Sequence, residues 1–132
     1  MSVGLVLVSH SRRLGEGLAE MAGQLARGRV QIAVASGASD GGLGTDATAI
    51  SSAIESVDGQ DGVLVLADLG SAVLATESAF ELLPPELRDR VQLADAPLVE
   101  GTVAAAVQAS IEGDLDEVRG AAEGARDLRK LR

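Results

Sequence analysis

Residues 4–9 have the sequence GLVLVS, an apolar run rich in valine that is too short for a buried helix. A run of this length and composition is typical of a strand buried on both faces of a parallel sheet. Apolar residues at helical spacing follow it, and a second valine-rich run, VQIAVA, occupies residues 30–35. The chain is therefore predicted to begin with a strand, a helix and a second strand.

The same alternation continues to the end of the chain. The most hydrophobic run, VLVLA at residues 63–67, predicts the third strand, and residues 91–94 predict a short fourth strand. Helical segments lie between the strands, and Pro84-Pro85 ends the helix that starts near Ser71. Alternating strands and helices favour an α/β fold, in which a doubly wound parallel sheet of order 2-1-3-4 carries helices on both faces.

Apolar stripes mark the individual helices. The last helix is expected to start after Asp114, because Glu117 follows at the spacing of a capping box. Residues that recur at helical spacing indicate the first helix and the helix after the fourth strand. They are Leu14, Leu18, Met21 and Leu25 in the first, and Val103, Val107 and Ile111 in the other.

Composition narrows the possible functions. The 132 residues are the usual size of one domain, so a single domain is expected over residues 1–132. The net charge of −9 and the single aromatic residue, Phe80, argue against nucleic acid, because phosphates are repelled and bases have little to stack on. The absence of cysteine, of a signal segment and of a membrane-spanning run favours a cytoplasmic protein without a membrane partner.

Few side chains are able to carry out chemistry. His10 is the only histidine and Lys130 the only lysine, so a histidine metal cluster and a Walker A lysine are excluded. His10 follows the first strand and Asp68 follows the third. In the order 2-1-3-4 these strands flank the topological switch point, where ligands bind beyond the carboxyl ends. His10 and Asp68 are therefore the candidate catalytic residues, and no metal site is predicted.

Each of these residues has more than one possible role. His10 could be an ordinary loop histidine, or a nucleophile or general base, because imidazole is suited to such work near neutral pH. Asp68 could cap the helix that follows it, and it could also accept a hydrogen bond from His10 Nδ1, leaving Nε2 free as a nucleophile. Phosphoryl transfer through His10 fits better than hydrolysis, because the nucleophile motif G-x-S-x-G is absent.

Helix N-termini at the same edge would present backbone N–H groups to an anion. Such helices are expected after Ser11, Thr45 and Ser71, and neighbouring glycines leave room for close approach. The predicted phosphate-binding residues are Ser9, Ser11, Gly44, Thr45, Gly70 and Ser71.

Two other interpretations of these motifs fit less well. Residues 42–47, GLGTDA, match the dinucleotide-binding pattern G-x-G-x-x-A, but they do not form a tight turn after the second strand. Asp68 has the position of the phosphoacceptor in a response-regulator receiver. That class also needs an acidic pair after the first strand and a lysine after a fifth, and this chain has Ser9-His10 and only Lys130.

Four motifs together resemble the mannose-type enzyme IIA family of the phosphotransferase system. They are VSHS at 8–11, GTDA at 44–47, DLGSA at 68–72 and APLVEG at 96–101. Sugar-transport members usually carry Ser-His-Gly after the first strand and a Phe-Gly-Gly-Ser-Pro-like turn after the third. Ser11 and residues 69–72 depart from that pattern and favour the members that serve dihydroxyacetone kinase.

The resemblance implies a phosphotransferase subunit in which His10 Nε2 accepts a phosphoryl group from the phosphocarrier HPr, with Asp68 in support. The group then passes to ADP, held with Mg on the partner subunit DhaL, while DhaK carries dihydroxyacetone (glycerone). No cofactor of the chain's own is implied, and a homodimer is expected. An enzyme IIA of a mannose-family sugar permease and a regulatory phosphoprotein without onward catalysis are the alternatives.

Overall fold

Strands and helices alternate through residues 2–131, the part of the chain described by the computed structural model. The elements are β1 (Gly4–Val8), α1 (Arg12–Leu25), β2 (Ile32–Val34), α2 (Ala47–Ser56), β3 (Val63–Ala67), α3 (Gly70–Phe80), α4 (Pro85–Arg88), β4 (Val91–Leu93), α5 (Leu98–Ser110) and α6 (Leu115–Gly124). A 3-10 turn, Ala125–Asp127, follows α6. Of the helices in this range, none combines the length and the apolar character needed to cross a membrane.

The four strands form one parallel sheet in the order β2-β1-β3-β4. The predicted α/β fold with strand order 2-1-3-4 is thereby confirmed. β1 and β3 lie side by side in register from Gly4 opposite Val63 to Val8 opposite Ala67. All residues of both strands are buried, as expected for central strands covered on both faces. Their carboxyl ends therefore lie next to each other.

Side chains of β1 point alternately into two apolar layers. Leu5 and Leu7 pack with residues of α1, α5 and α6 on one face of the sheet. Val6 and Val8 pack on the other face against α2 and α3, where Ile50 and Ile54 are fully buried. The two layers hold the central strands rigidly beneath the edge at which the candidate residues lie.

Helix α1 turns only part of its predicted apolar stripe towards the sheet. Leu18 is buried, together with the small residues Gly15 and Ala22. The small side chains let the helix lie close to its neighbours, and the larger ones are turned towards solvent. The exposed members of the stripe are Leu14, Met21 and Leu25, at 44%, 42% and 51%.

Helix α5 shows the same pattern more strongly. Its buried residues are all small, namely Gly101, Thr102, Ala105, Ala106 and Ala109. Val107 and Ile111, two of the residues from which this helix was predicted, are exposed. The apolar stripe thus locates the helix correctly but does not identify the face that packs on the sheet.

The predicted starts of two helices agree with the structure. α6 begins with a capping box, in which the Asp114 carboxylate accepts from Glu117 N–H at 2.8 Å and the Glu117 carboxylate accepts from Asp114 N–H at 2.9 Å. The helix predicted to run from about Ser71 up to the prolines starts as expected, at Gly70, but it already ends at Phe80, and α4 starts at Pro85. Local sequence signals determine these helix starts.

A glycine at the start of β1 permits the close approach of α2. A Cβ atom on Gly4 would lie 2.5 Å from the carbonyl oxygen of Val57, the residue at the end of α2. We expect Gly4→Ala to lower the free energy of unfolding by about 1–3 kcal/mol, a typical cost of overpacking. Urea unfolding followed by far-UV circular dichroism will measure the change, since the chain has no Trp or Tyr for fluorescence.

Gly17→Ala in α1 is the matched control. A Cβ atom there meets nothing within 4 Å, and alanine in a helix interior is more favourable than glycine by roughly 0.5–1 kcal/mol. This variant should be more stable than the wild type. An unchanged stability of Gly4→Ala would contradict the tight contact between β1 and α2.

Candidate active site

His10 and Asp68 meet at the carboxyl edge of the sheet. β1 and β3 are paired up to Val8 and Ala67, so the residues that follow them lie side by side. His10 Nδ1 is 2.8 Å from Asp68 Oδ1, and the two side chains are 24% and 13% exposed. The structure thus brings together the two residues predicted to be catalytic, in the contact expected from the sequence.

Four donors surround the Asp68 carboxylate. Oδ2 accepts from the His10 backbone N–H and from the Ser9 hydroxyl, both at 2.9 Å. Oδ1 accepts from the Leu69 backbone N–H at 2.6 Å, in addition to facing Nδ1. Burial alone would raise the pKa of Asp68, but these hydrogen bonds, led by the His10 N–H, hold the pKa below its ordinary value. Asp68 is therefore ionised and can only accept hydrogen bonds.

An ionised Asp68 decides the tautomer of His10. Because the carboxylate accepts only, Nδ1 carries a proton, and in the neutral imidazole the lone pair is therefore on Nε2. Ser71 Oγ lies 2.5 Å from Nε2, and with this tautomer the hydroxyl donates to the ring nitrogen. A phosphoryl group bound to Nε2 would displace this hydroxyl, which could then donate to a phosphoryl oxygen.

Helix α3 directs its N-terminus at the same nitrogen. Its N-cap is Leu69, and no side chain caps its first N–H groups. The alternative role of Asp68 as the helix cap is not what the structure shows, because Oδ1 accepts from Leu69, one residue on. Since Ser71 contacts Nε2, the first turn of α3, with Gly70 and Ser71, provides N–H groups and a helix dipole that favour an anion there.

Ser9 has a different place from the predicted one. Its side chain is fully buried, its hydroxyl donates to Asp68 Oδ2, and its oxygen accepts from the Ser11 N–H at 3.1 Å. The side chain is therefore not available to bind phosphate. Its predicted role as a phosphate ligand is corrected to a contact with the carboxylate that holds His10.

Ser11 and Gly44 hold the backbone around His10. Ser11 Oγ caps α1 by accepting from the Leu14 N–H at 3.3 Å. The Gly44 N–H donates to the His10 carbonyl at 3.0 Å, and its φ of +144° is a conformation that favours glycine. The backbone N–H groups of both residues are thus engaged within the protein, because the Ser11 N–H donates to Ser9 Oγ, while the Ser11 hydroxyl keeps its own proton.

The start of α2 is also occupied. Asp46 is the N-cap, and its Oδ1 accepts from the Thr48 N–H at 2.9 Å. The Asp46 carboxylate occupies the position at which an anion was predicted to bind after Thr45, and its negative charge would repel a phosphate. Of the three helix N-termini proposed for phosphate, the one that lies against Nε2 is that of α3.

One residue of the site was missed. Ser36 Oγ accepts from the Ser9 N–H at 3.2 Å. It comes shortly after β2, which ends at Val34, just as His10 and Asp68 come after their own strands. Its position directly after the apolar run 30–35 was the signal that could have identified it.

Two cavities flank the site. One of about 270 Å³ is lined by residues that include Arg12, Ser36 and Asp46. The other, of about 330 Å³, includes Asp68 and Asp95 in its walls. Within residues 2–131 no three His, Asp or Glu side chains are grouped as a metal site would require.

A family model named EIIA-man, described as "PTS system fructose IIA component", matches residues 4–119. The chain belongs to the EIIA-man family. This match covers every element that forms the site, from β1 to α5.

Named relatives of this EIIA-man domain are phosphoryl donor subunits. It is 52% identical over 119 residues to "PEP-dependent dihydroxyacetone kinase, phosphoryl donor subunit DhaM" of Escherichia coli (strain K12), covering 88% of this chain and 25% of that protein. It is 41% identical over 109 residues to the corresponding subunit of "dihydroxyacetone kinase 2" of Listeria innocua, covering 83% and 87%. The chain thus spans about a quarter of the first relative and most of the second.

A solved structure shares the whole fold. The crystal structure of a protein of unknown function superimposes with a TM-score of 0.86 and 36% identity, covering 100% of both chains.

The hydrogen bonds to Asp68 predict a pH-dependent contribution to stability. Asp68→Asn should lower the free energy of unfolding at pH 7 by about 1–3 kcal/mol, because it mismatches partly buried hydrogen-bonding groups. Folding lowers the pKa of Asp68, so its ionised form stabilises the protein above the unfolded-state pKa near 4. That contribution disappears as the pH falls through the lower folded-state pKa. Urea unfolding at pH 7 and pH 3 should show the difference between variant and wild type shrinking in acid.

Asp61→Asn, at an exposed loop residue, is the control. It should change stability by less than about 0.5 kcal/mol at either pH. An Asp68→Asn effect that is equally large at both pH values would contradict an ionised, hydrogen-bonded Asp68.

Proposed function

We propose that this domain is the phosphohistidine carrier of a PEP-dependent dihydroxyacetone kinase. In this proposal His10 takes a phosphoryl group from HPr and passes it to ADP bound on DhaL, and DhaK presents dihydroxyacetone. The observation that carries the proposal is the lone pair on His10 Nε2, held beside the N-terminus of α3 by a hydrogen bond from Nδ1 to Asp68. The names of the relatives in Escherichia coli and Listeria innocua support the choice of acceptor.

The first transfer needs a nucleophile and a charge partner. The Nε2 lone pair attacks phosphorus of phospho-HPr, an N–P bond forms to His10, and the N–P bond to HPr breaks with its electron pair leaving on HPr. The proton on Nδ1 stays in place, so the His10 ring gains positive charge. The Asp68 carboxylate, 2.8 Å away, stabilises that charge as it develops.

The second transfer reverses these roles. A terminal oxygen of ADP attacks phosphorus, the N–P bond to His10 breaks, and its electron pair returns to Nε2, so that ATP forms and His10 is regenerated. During both steps the N–H groups at the start of α3 can donate to the phosphoryl oxygens, and so can the Ser71 hydroxyl once it leaves Nε2.

We place the nucleotide and its Mg on the partner and no cofactor on this chain. The cavities beside His10 are lined in part by Asp46, Asp68 and Asp95, whose carboxylates would repel nucleotide phosphates. The single lysine, Lys130, contacts Glu100. A cytoplasmic location follows from the same proposal and agrees with the absence of cysteine.

The proposal predicts a two-step transfer in a reconstituted system. With PEP, enzyme I and HPr, the domain should take up one acid-labile phosphate, and His10→Ala should take up none. ADP-loaded DhaL should then discharge the phosphoprotein, and dihydroxyacetone phosphate should form when DhaK is added. Asp68→Asn should slow the labelling by about 10²-fold, the lower range for a positioned partner in acid–base catalysis.

The same assay distinguishes the alternatives. Discharge by a mannose-type IIB domain, but not by ADP-loaded DhaL, would replace this proposal with a sugar-permease function. A phosphoprotein that neither acceptor discharges would indicate a regulatory role. Labelling of His10→Ala would overturn the phosphohistidine mechanism itself.

We further infer that the domain forms a homodimer through the outer face of α5. Val99, Val107 and Ile111 are exposed there by 41%, 45% and 67%. A cavity of about 520 Å³ beside this helix, lined by residues that include Val103 and Leu128, can receive side chains of a partner. Such an apolar patch is typical of an interface.

Charge favours a second copy as the occupant of this face. Each chain carries a net charge of −9, so two copies repel each other over most of their surface. Glu100 is the one charged residue among residues 98–110, and it is paired with Lys130. Two copies can therefore approach each other at the face of α5 with little electrostatic repulsion. A twofold axis would bring this face of one copy against the same face of the other.

The dimer predicts a response to charge placed on α5. Val107→Glu should convert the dimer to a monomer, as measured by light scattering during size exclusion, because it would bury unpaired carboxylates at the interface. Leu82→Glu, at an exposed residue just after α3, is the matched control and should remain dimeric. A monomeric wild type, or dissociation by Leu82→Glu alone, would contradict this interface.

A further inference from the structure

Both hydrogen-bond donors of Ser9, its backbone N–H and its hydroxyl, have a partner within the protein. Its backbone N–H donates to Ser36 Oγ at 3.2 Å, and its hydroxyl oxygen accepts from the Ser11 N–H at 3.1 Å. The hydroxyl has one proton, which it donates to Asp68 Oδ2 at 2.9 Å. Because the side chain is fully buried, water does not compete for this proton.

The bond from Ser9 acts on the orientation of a carboxylate. The terminal torsion of an Asp side chain is soft, so neighbouring donors decide how its plane is turned. The Ser9 hydroxyl and the His10 N–H hold Oδ2, and this turns Oδ1 towards His10 Nδ1. With the Ser9 hydroxyl removed, Oδ2 keeps one donor, and the carboxylate plane is less firmly held.

We propose that Ser9 is a positioning residue for phosphoryl transfer, which acts through Asp68 to keep the ring proton of His10 on Nδ1 and the lone pair on Nε2. The proposal rests on the proposed function of His10 as the phosphoryl carrier. Ser9 would thus influence the transfer although its buried side chain cannot contact the phosphoryl group.

The rest of the fold keeps Ser9 in place. Ser36, which follows β2, accepts a hydrogen bond from the Ser9 N–H, and α1 packs over this contact. A Cβ atom on Gly15 of α1 would clash with Ser36 Oγ, so the glycine makes room for the serine. Contacts from the segment that follows β2 and from α1 therefore set the position of the hydroxyl that holds Asp68.

An isosteric pair of variants separates the hydroxyl from the packing. Ser9→Thr retains a hydroxyl, whereas Ser9→Val has the shape of threonine without one, and both add bulk at the same buried place. Ser9→Ala removes the hydroxyl without adding bulk. Since His10 is the only histidine, the ¹⁵N imidazole signals of labelled protein report its tautomer alone. The rate of labelling by phospho-HPr and the stability by circular dichroism complete the measurements.

We expect Ser9→Val and Ser9→Ala to raise the fraction of the Nε2–H tautomer and to slow labelling roughly tenfold, which is the lower end of the range for losing an outer partner of a metal-binding histidine. Ser9→Thr should restore both properties. If Ser9→Val and Ser9→Thr show the same His10 tautomer and the same labelling rate, or if Ser9→Ala matches the wild type, the proposal is overturned. The role of Ser9 is then confined to packing.

The tautomer measurement also separates this proposal from the proposed function. It needs no phosphate, so it decides the role of Ser9 even if the wild type takes no label from phospho-HPr. Should Val and Thr both fail to fold, Ser9→Ala against the wild type gives the same decision, with circular dichroism as the check on folding.

Discussion

The hydrogen bond between Asp68 Oδ1 and His10 Nδ1 is the interaction on which the site depends. It exists because β1 and β3 are neighbours in register, so that the residues following them meet although they are 58 positions apart in sequence. The ionised carboxylate assigns the ring proton to Nδ1 and the lone pair to Nε2. Around it, the buried strands and their two apolar layers keep this contact at a fixed geometry, which is what a transfer reaction with few chemical groups requires.

Small residues bring these layers close together. Gly4 lets α2 approach β1, and Gly15 lets α1 pack over Ser36. Helix α5 likewise packs through small buried residues, among them alanines and a glycine. Its valines are therefore turned outwards. Close packing on the inside and the apolar outer surface thus have one origin, since a helix that packs through small side chains carries its large ones elsewhere.

The charge distribution at the carboxyl edge of the sheet is compatible with the proposal that the nucleotide is bound by a partner. Carboxylates cap α2, line both cavities and hold His10, so they repel anions at these positions of the sheet edge, although Arg12 also lines one of the cavities. The N-terminus of α3, without a side-chain cap, is different, and it lies against Nε2. In the proposed function a single phosphoryl group would bind there, and the nucleotide with its metal ion would be held by the partner.

The sequence alone determined the order of the strands, because buried parallel strands appear as short apolar runs and right-handed crossovers leave few arrangements. It therefore also placed His10 and Asp68 at one edge. Only the tertiary structure decided which of the predicted residues surround His10 Nε2, because that depends on hydrogen-bond partners distant in sequence. Ser9 is turned inward to Asp68, Asp46 fills the start of α2, and Ser71 reaches Nε2. In the same way, helical spacing located α1, but which side of the helix is buried follows from how closely its small residues can approach the sheet.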